Sequence, residues 1–124
     1  MAGGLTISTL NNDTGVLATQ NGMTGIPKAW VNFNGTGTVA IRSAFNVSSI
    51  TDNGTGDYTI NFTTAMADAN YAFAGSGVND AINTNIVTSN PTTARTTTAL
   101  RITVCLPNNS VGDAAIVNVI VCGN

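Results

Sequence analysis

The stretch Lys28-Ala29-Trp30-Val31-Asn32-Phe33-Asn34-Gly35-Thr36-Gly37-Thr38-Val39-Ala40-Ile41-Arg42 decides the fold. Ala29, Val31 and Phe33 alternate with Trp30 and Asn32, the period of two that places successive side chains on opposite faces of a strand. Asn34-Gly35-Thr36-Gly37 then supplies a tight turn. The spacing predicts a β-hairpin whose inner face carries Val39, Ile41, Phe45 and Val47, with Thr38, Ala40, Arg42, Ala44 and Asn46 on the other. Trp30 falls out of phase with Val31 and Phe33, which frees it to meet a partner strand, a subunit or a ligand.

Toward the C-terminus the same grammar repeats. Thr51-Asp52-Asn53-Gly54-Thr55-Gly56-Asp57 is a second turn, after which Tyr58, Ile60 and Phe62 resume the apolar alternation opposite Thr59, Asn61 and Thr63. Tyr71 and Phe73 open a strand that Gly75-Ser76-Gly77 is expected to end, and Ile82 to Val87 gives another. Thr96, Thr98, Leu100, Ile102, Val104 and Leu106 share one face against Arg95, Thr97, Ala99, Arg101, Thr103 and Cys105, the pattern of a strand with one wet face. The last run, Ala115 to Cys122, is apolar on both faces. It is therefore either central in a sheet and covered twice, or partly buried by another subunit. No stretch carries a helical period of useful length. About seven strands with turns every eight to twelve residues predict an all-β domain, an antiparallel β-sandwich of jelly-roll-like topology, over residues 28–124.

Residues 1–27 read differently. Leu5, Ile7 and Leu10 are followed by Gly15, Gly22, Gly25 and Pro27, so this segment is expected to be an extended arm with at most one short strand. Three large apolar side chains are too few for a core, yet leaving each in water costs about 1.5 to 3 kcal/mol. The arm is thus expected to gain its order on another chain, by attachment or subunit exchange, or else along its own domain. The two-faced final strand likewise predicts symmetric self-association.

Composition narrows the chemistry. Charged residues make up 8% of the chain and hydrophobic residues 43%, against about 25% charged in an average soluble domain, so the chain should fold rather than remain a solvated tail. There is no histidine and, reading along the chain, no glutamate. Without histidine the usual catalytic triads and His-based metal sites are excluded. A net charge of −2 offers no phosphate-binding stripe, which argues against nucleic acid. The N-terminus lacks a basic flank and a long apolar core, so neither a secretion signal nor a membrane span is expected. Thr and Asn carry most of the polar surface, a mixture suited to strands and turns.

Asp52 and Asp57 flank a Gly-rich loop. They could be read as a weak calcium loop or a glycosidase pair, but Asp, Asn and Gly are also what a tight turn requires, and turn placement is expected to leave both acids solvated. No catalytic residue, metal or cofactor is expected. Cys105 and Cys122 read as two small buried hydrophobes. A simple hairpin of 96–106 with 114–122 would hold their sulfurs roughly 20 Å apart, beyond disulfide reach. Exposed aromatic rings beside amides are how proteins hold sugars; among Trp30, Tyr58 and Tyr71, only Trp30 is out of phase with its strand's core.

The run Lys28 to Arg42, continuing through Phe45-Asn46-Val47-Ser48-Ser49-Ile50-Thr51-Asp52 and Asn53-Gly54-Thr55-Gly56-Asp57-Tyr58-Thr59-Ile60-Asn61-Phe62, resembles a module of tailed-bacteriophage and prophage fibre proteins. The likeness extends through Met66 and Asn70-Tyr71 to residue 73, and Val117 to Asn124 is similar to the closing strand of such modules; residues 74–95 match loosely. The resemblance implies a virion surface protein, usually a homotrimer, with tail-fibre or receptor-binding roles and no catalytic residues. Such fibres carry a long shaft and a tail-binding head before the module, whereas 27 residues precede Lys28 here. The expectation is a non-enzymatic short fibre-type module on the exterior of the particle. It would dock on other virion proteins through the arm (Leu5, Ile7, Leu10) and adhere to host-surface polysaccharide, with Trp30 as subunit or glycan contact. The alternative is a capsid decoration (cement) or head-fibre protein that never touches the host.

Overall fold

Alternating apolar and Asn/Thr side chains favour the extended chain because only a pleated strand sorts them onto two faces. The computed structural model describes residues 3–4, 6, 9–12, 15–18, 26–79 and 83–123. Its strands are β1 (Thr9–Asn12), β2 (Gly15–Ala18), β3 (Pro27–Asn34), β4 (Ala40–Phe45), β5 (Val47–Gly54), β6 (Asp57–Phe62), β7 (Ala72–Asn79), β8 (Asn83–Ser89), β9 (Ala99–Cys105) and β10 (Ile116–Cys122). No helix occurs among the described residues, and hence none long and apolar enough to cross a membrane.

The all-β, antiparallel class expected from the sequence is what the chain adopts. Eight strands form one sheet in the order β4-β3-β10-β7-β8-β9-β6-β5, curled until its edge strands adjoin. The edges meet because β4 and β5 are consecutive in the chain, separated by Asn46 alone. Asn46 takes a left-handed φ of 55°, a conformation Asn tolerates better than most residues. Its side-chain amide donates to the Lys28 and Thr64 carbonyls at 2.9 and 3.1 Å and its Oδ1 accepts from the Thr64 N–H at 2.7 Å. Both edges carry register shifts, at Arg42 on β4 and at two places on β5. Such bulges make a poor template for another strand.

The core lies inside this curled sheet. Ala29, Val31 and Phe33 of β3, Tyr58, Ile60 and Phe62 of β6, Leu100, Ile102 and Val104 of β9, and Val117, Val119 and Val121 of β10 are all buried. Those of β3, β6 and β9 are the in-phase residues of the sequence reading; on β10, apolar on both faces, the fold turns Val117, Val119 and Val121 inward. Phe33 meets Tyr58 edge-on at 5.2 Å between ring centres, and Phe62 meets Tyr71 at 5.7 Å.

Four local expectations are revised. Phe45, placed on the inner face, points outward opposite Trp30 and is 53% exposed. The reason is the bulge at Arg42, which shifts the phase of β4 by one residue. Gly75-Ser76-Gly77 does not end a strand; β7 runs straight through it. There is no room for side chains, since a Cβ on Gly75 would lie 2.8 Å from the Asn118 carbonyl oxygen and 2.9 Å from Val87. Residues 96–106 and 114–122 do not pair as a hairpin: β10 inserts between β3 and β7, with β8 and then β9 beyond. Cys105 and Cys122, expected to be buried, are half-buried free thiols on strands three positions apart, roughly 14 Å at about 4.8 Å per strand. The arm, given at most one strand, contains two that pair with each other, Leu10 opposite Leu17. Leu5 and Ile7 lie outside the described residues.

Among the described residues β1 and β2 form a sheet of their own, separate from the eight-stranded one. A truncation beginning at Ile26 is therefore expected to leave the large sheet folded, with an unchanged far-ultraviolet β spectrum and a urea midpoint close to that of the full chain. Unfolding of the truncated protein would show that the arm completes the domain.

One buried residue works against stability. Asn85 on β8 is 2% exposed and neither its Nδ2 nor its Oδ1 has a hydrogen-bond partner. Burying unsatisfied amide atoms costs about 1 to 3 kcal/mol. Asn85→Leu, close in shape, is expected to raise stability by about that amount in urea unfolding. A loss of stability would show that the amide atoms are satisfied in solution.

Candidate ligand-binding groove

The out-of-phase residues of β3 and β10 meet on the outside of the sheet. Trp30 stands opposite Ile120, which stands opposite Ala74 of β7; two residues along, Asn32 stands opposite Asn118, which stands opposite Ser76. Register alone thus builds two parallel rows across three strands, one apolar and one polar. In the polar row the Asn32 Nδ2 donates to Asn118 Oδ1, and the Asn118 Nδ2 donates to Ser76 Oγ at 3.3 Å. Between and over the rows lies an open groove of about 480 Å³ lined by Trp30, Asn32, Ala74, Ser76, Asn118 and Ile120 together with the backbone beneath them. That size is within the range of small-molecule sites. Trp30 is 39% exposed and Ile120 41%, so a large apolar surface faces water here.

Trp30 was singled out by its phase; the partners of its site were not. Asn32 shares its face by simple alternation and could have been named. Ile120 and Asn118 carried a signal too, as the outward residues of a strand too apolar for a wet face. Ser76 was hidden in a glycine pair read as a strand end.

A second opening of about 450 Å³ lies at the β4–β5 corner, lined by Ile26, Pro27, Lys28, Phe45, Asn46, Thr63 and Thr64. Elsewhere on the outer surface Val78, Ile86, Val111 and Ile116 are exposed, with Ile116 opposite Val78 and Ile86 opposite Cys105.

Three of the four described acids serve turns and caps. Asp52 accepts from the Gly54 N–H at 2.9 Å and Asp68 from the Asn70 N–H at 2.7 Å. Asp113 ties one end of the sheet together: its Oδ1 accepts from the Gly56 N–H at 2.8 Å and lies 2.7 Å from the Tyr58 hydroxyl, which is also 2.6 Å from the Gly35 carbonyl oxygen. Burial, reinforced by the Asp113 carboxylate, raises the Tyr58 pKa far above that of a free phenol. Tyr58 is therefore a neutral strut at every working pH. At the opposite end the Tyr71 hydroxyl lies 3.1 Å from the carbonyl oxygens of Thr96 and Ala99, and Arg95 donates to the Tyr71 carbonyl at 2.8 Å.

Asp57, expected to be solvated, is instead held by Arg101, whose Nε and Nη2 donate to its two carboxylate oxygens at 2.8 and 2.6 Å. This fork lowers the Asp57 pKa below its ordinary 3.8. A carboxylate depressed in the folded state stabilises fully above its unfolded pKa, and that contribution is lost as pH falls through the folded value. Stability should therefore decline below about pH 4, and Arg101→Met should flatten that part of the decline while leaving the remainder. Parallel acid limbs in the two proteins, followed by urea midpoints, would contradict the pairing.

Compared with family models, curated proteins and solved structures, the chain matches none of them. No group of three or more metal-ligating side chains occurs among the described residues.

Proposed function

We propose that the protein is a non-enzymatic structural protein of a tailed-phage virion, a fibre-type module that adheres to host-surface glycan through the Trp30 groove. The observation that carries the adhesive part is the pairing of an exposed indole with a row of amide and hydroxyl groups in one open groove. Stacking on the indole and hydrogen bonding to the row are the two contacts that a sugar offers. The virion part rests on the resemblance of residues 28–73 and 117–124 to fibre modules.

In this proposal the arm (Leu5, Ile7, Leu10) docks on other virion proteins and the chain is a homotrimer. Val78, Ile86, Val111 and Ile116 supply a second apolar surface, which borders the groove where Ile86 stands opposite Ser76 and is suited to contact between subunits. We read the curled sheet as a flattened, jelly-roll-like sandwich whose halves pack across Phe33, Tyr58, Leu100 and Val119. The same second surface favours the alternative reading, a capsid decoration protein, because it suits binding to other virion subunits.

Reconstruction of the purified particle tests both. Tail density with the Trp30 face turned to the medium is the expected result. Density at capsid vertices or threefold positions would establish the decoration reading instead, and absence from the particle would overturn both. Incubation with host polysaccharide should leave polymer size unchanged; shortening would overturn the non-enzymatic assignment.

A further inference from the structure

We infer that the occupant of the Trp30 groove is an uncharged saccharide chain lying side-on across β3, β10 and β7, an inference that rests on the adhesive reading above. The lining contains no ionisable side chain: it is Trp30, Asn32, Ser76, Asn118 and Ile120 over small residues and backbone. A carboxylate or sulfate pressed into it would lose water and gain no cation, and an amine would gain no carboxylate; either costs more than a groove of neutral dipoles returns. Lys28, two residues before Trp30 on β3, lines the other opening instead. Neutral hydroxyls face no such penalty.

The rows match the two sides of a sugar ring. The apolar row Trp30, Ile120, Ala74 and the polar row Asn32, Asn118, Ser76 are two residues apart along their strands, about 6.7 Å, and each spans two strand spacings, roughly 10 Å. A pyranose laid with its C–H face on the apolar row turns its hydroxyl rim toward the polar one. Each amide has a second N–H beyond the one used within the row, and Asn32 Oδ1 and Ser76 Oγ are acceptors, so the row can both donate to and accept from hydroxyls. An open groove crossing the strands suits a length of chain more than a single terminal unit. With no titratable group and no counterion to release, affinity should be insensitive to salt and to pH.

Trp30 is the chain's only tryptophan, so tryptophan emission of the full-length protein reports on this groove alone. The probes are dextran and mannan as neutral polymers and polygalacturonate as an acidic one, each titrated in 50 and in 500 mM NaCl, alongside adsorption of particles with and without the protein. A neutral polymer should shift the emission with affinities that agree within about twofold between the two salts, while polygalacturonate leaves it unmoved. Asn118→Ala should weaken binding roughly tenfold, the loss of one or two hydrogen bonds. Ser76→Ala, at a more exposed position, should weaken it by a smaller factor and guards against a folding defect in the first variant. Preference for polygalacturonate that fades with salt would overturn the uncharged class and leave adhesion standing. Binding of a neutral polymer that moves neither the emission nor responds to either variant would overturn the groove as its location. If no polymer perturbs Trp30 while adsorption still requires the protein, the saccharide inference falls and adhesion survives; if adsorption is indifferent to it, both fall.

Discussion

Gly56→Val is expected to cost about 3 to 5 kcal/mol, combining backbone strain with overpacking, a large part of the 5 to 15 kcal/mol that stabilises an ordinary domain. Gly56 sits at the β5–β6 turn with φ 65°, where a β-branched residue is strained whatever its surroundings. Its surroundings are also closed: a Cβ would lie 2.7 Å from the Gly112 nitrogen and 3.0 Å from the Gly112 and Val104 carbonyl oxygens. These are backbone atoms with nowhere to go. Moving them would break the hydrogen bond from Val104 N–H to the Gly56 carbonyl at 2.7 Å, and that from Gly56 N–H to Asp113, unfastening the cap around Tyr58. Gly37 provides the control, since it has a similar φ of 60° with nothing within 4 Å of its would-be Cβ. Gly37→Val should cost only the strain, about 1 to 3 kcal/mol. Urea unfolding of the two variants separates the terms, and equal midpoints would show that the close approach at Gly56 is unimportant.

The second large effect is on binding. Trp30→Ala should weaken glycan adhesion by roughly 30-fold, the consequence of about 2 kcal/mol when a central aromatic contact is removed. Folding stability should change much less, because the indole is partly exposed on the outer face while the core of β3 is Ala29, Val31 and Phe33. Phe45, its cross-strand neighbour, is the comparison: it is more exposed and lies outside the groove lining, so Phe45→Ala should alter adhesion by only a small factor. Retention on immobilised polysaccharide, set beside urea midpoints for both variants, is the measurement. An equal loss in the two would locate adhesion in the general apolar character of the face, not in Trp30.

From the sequence came the class of fold, the core residues of β3, β6 and β9 and the outward placement of Trp30, but not the inner face of β4 or of β10, where Ile41 and Phe45 are exposed and Val117, Val119 and Val121 are buried. Each follows from a local rule. A period of two sorts Val31, Phe33, Tyr58, Ile60, Leu100 and Ile102 onto one face of whichever strand they occupy, and the dry side is the same whatever strand lies beside it. Alternation is blind to order and register, and those came only with the tertiary structure. Nothing near Ile116 to Cys122 says that β10 will enter between β3 and β7; it is placed there because a strand with an apolar inner face and few charges is best satisfied with hydrogen-bonding partners on both sides. Its register then aligns Asn118 with Asn32 and Ser76, and Ile120 with Trp30 and Ala74, residues from three distant parts of the chain. The bulge at Arg42, which turned Phe45 outward, is likewise a property of a strand pair and not of a strand. A groove made of rows across strands is therefore invisible to any reading along them, and Trp30 was legible only as a ring with no place in the core.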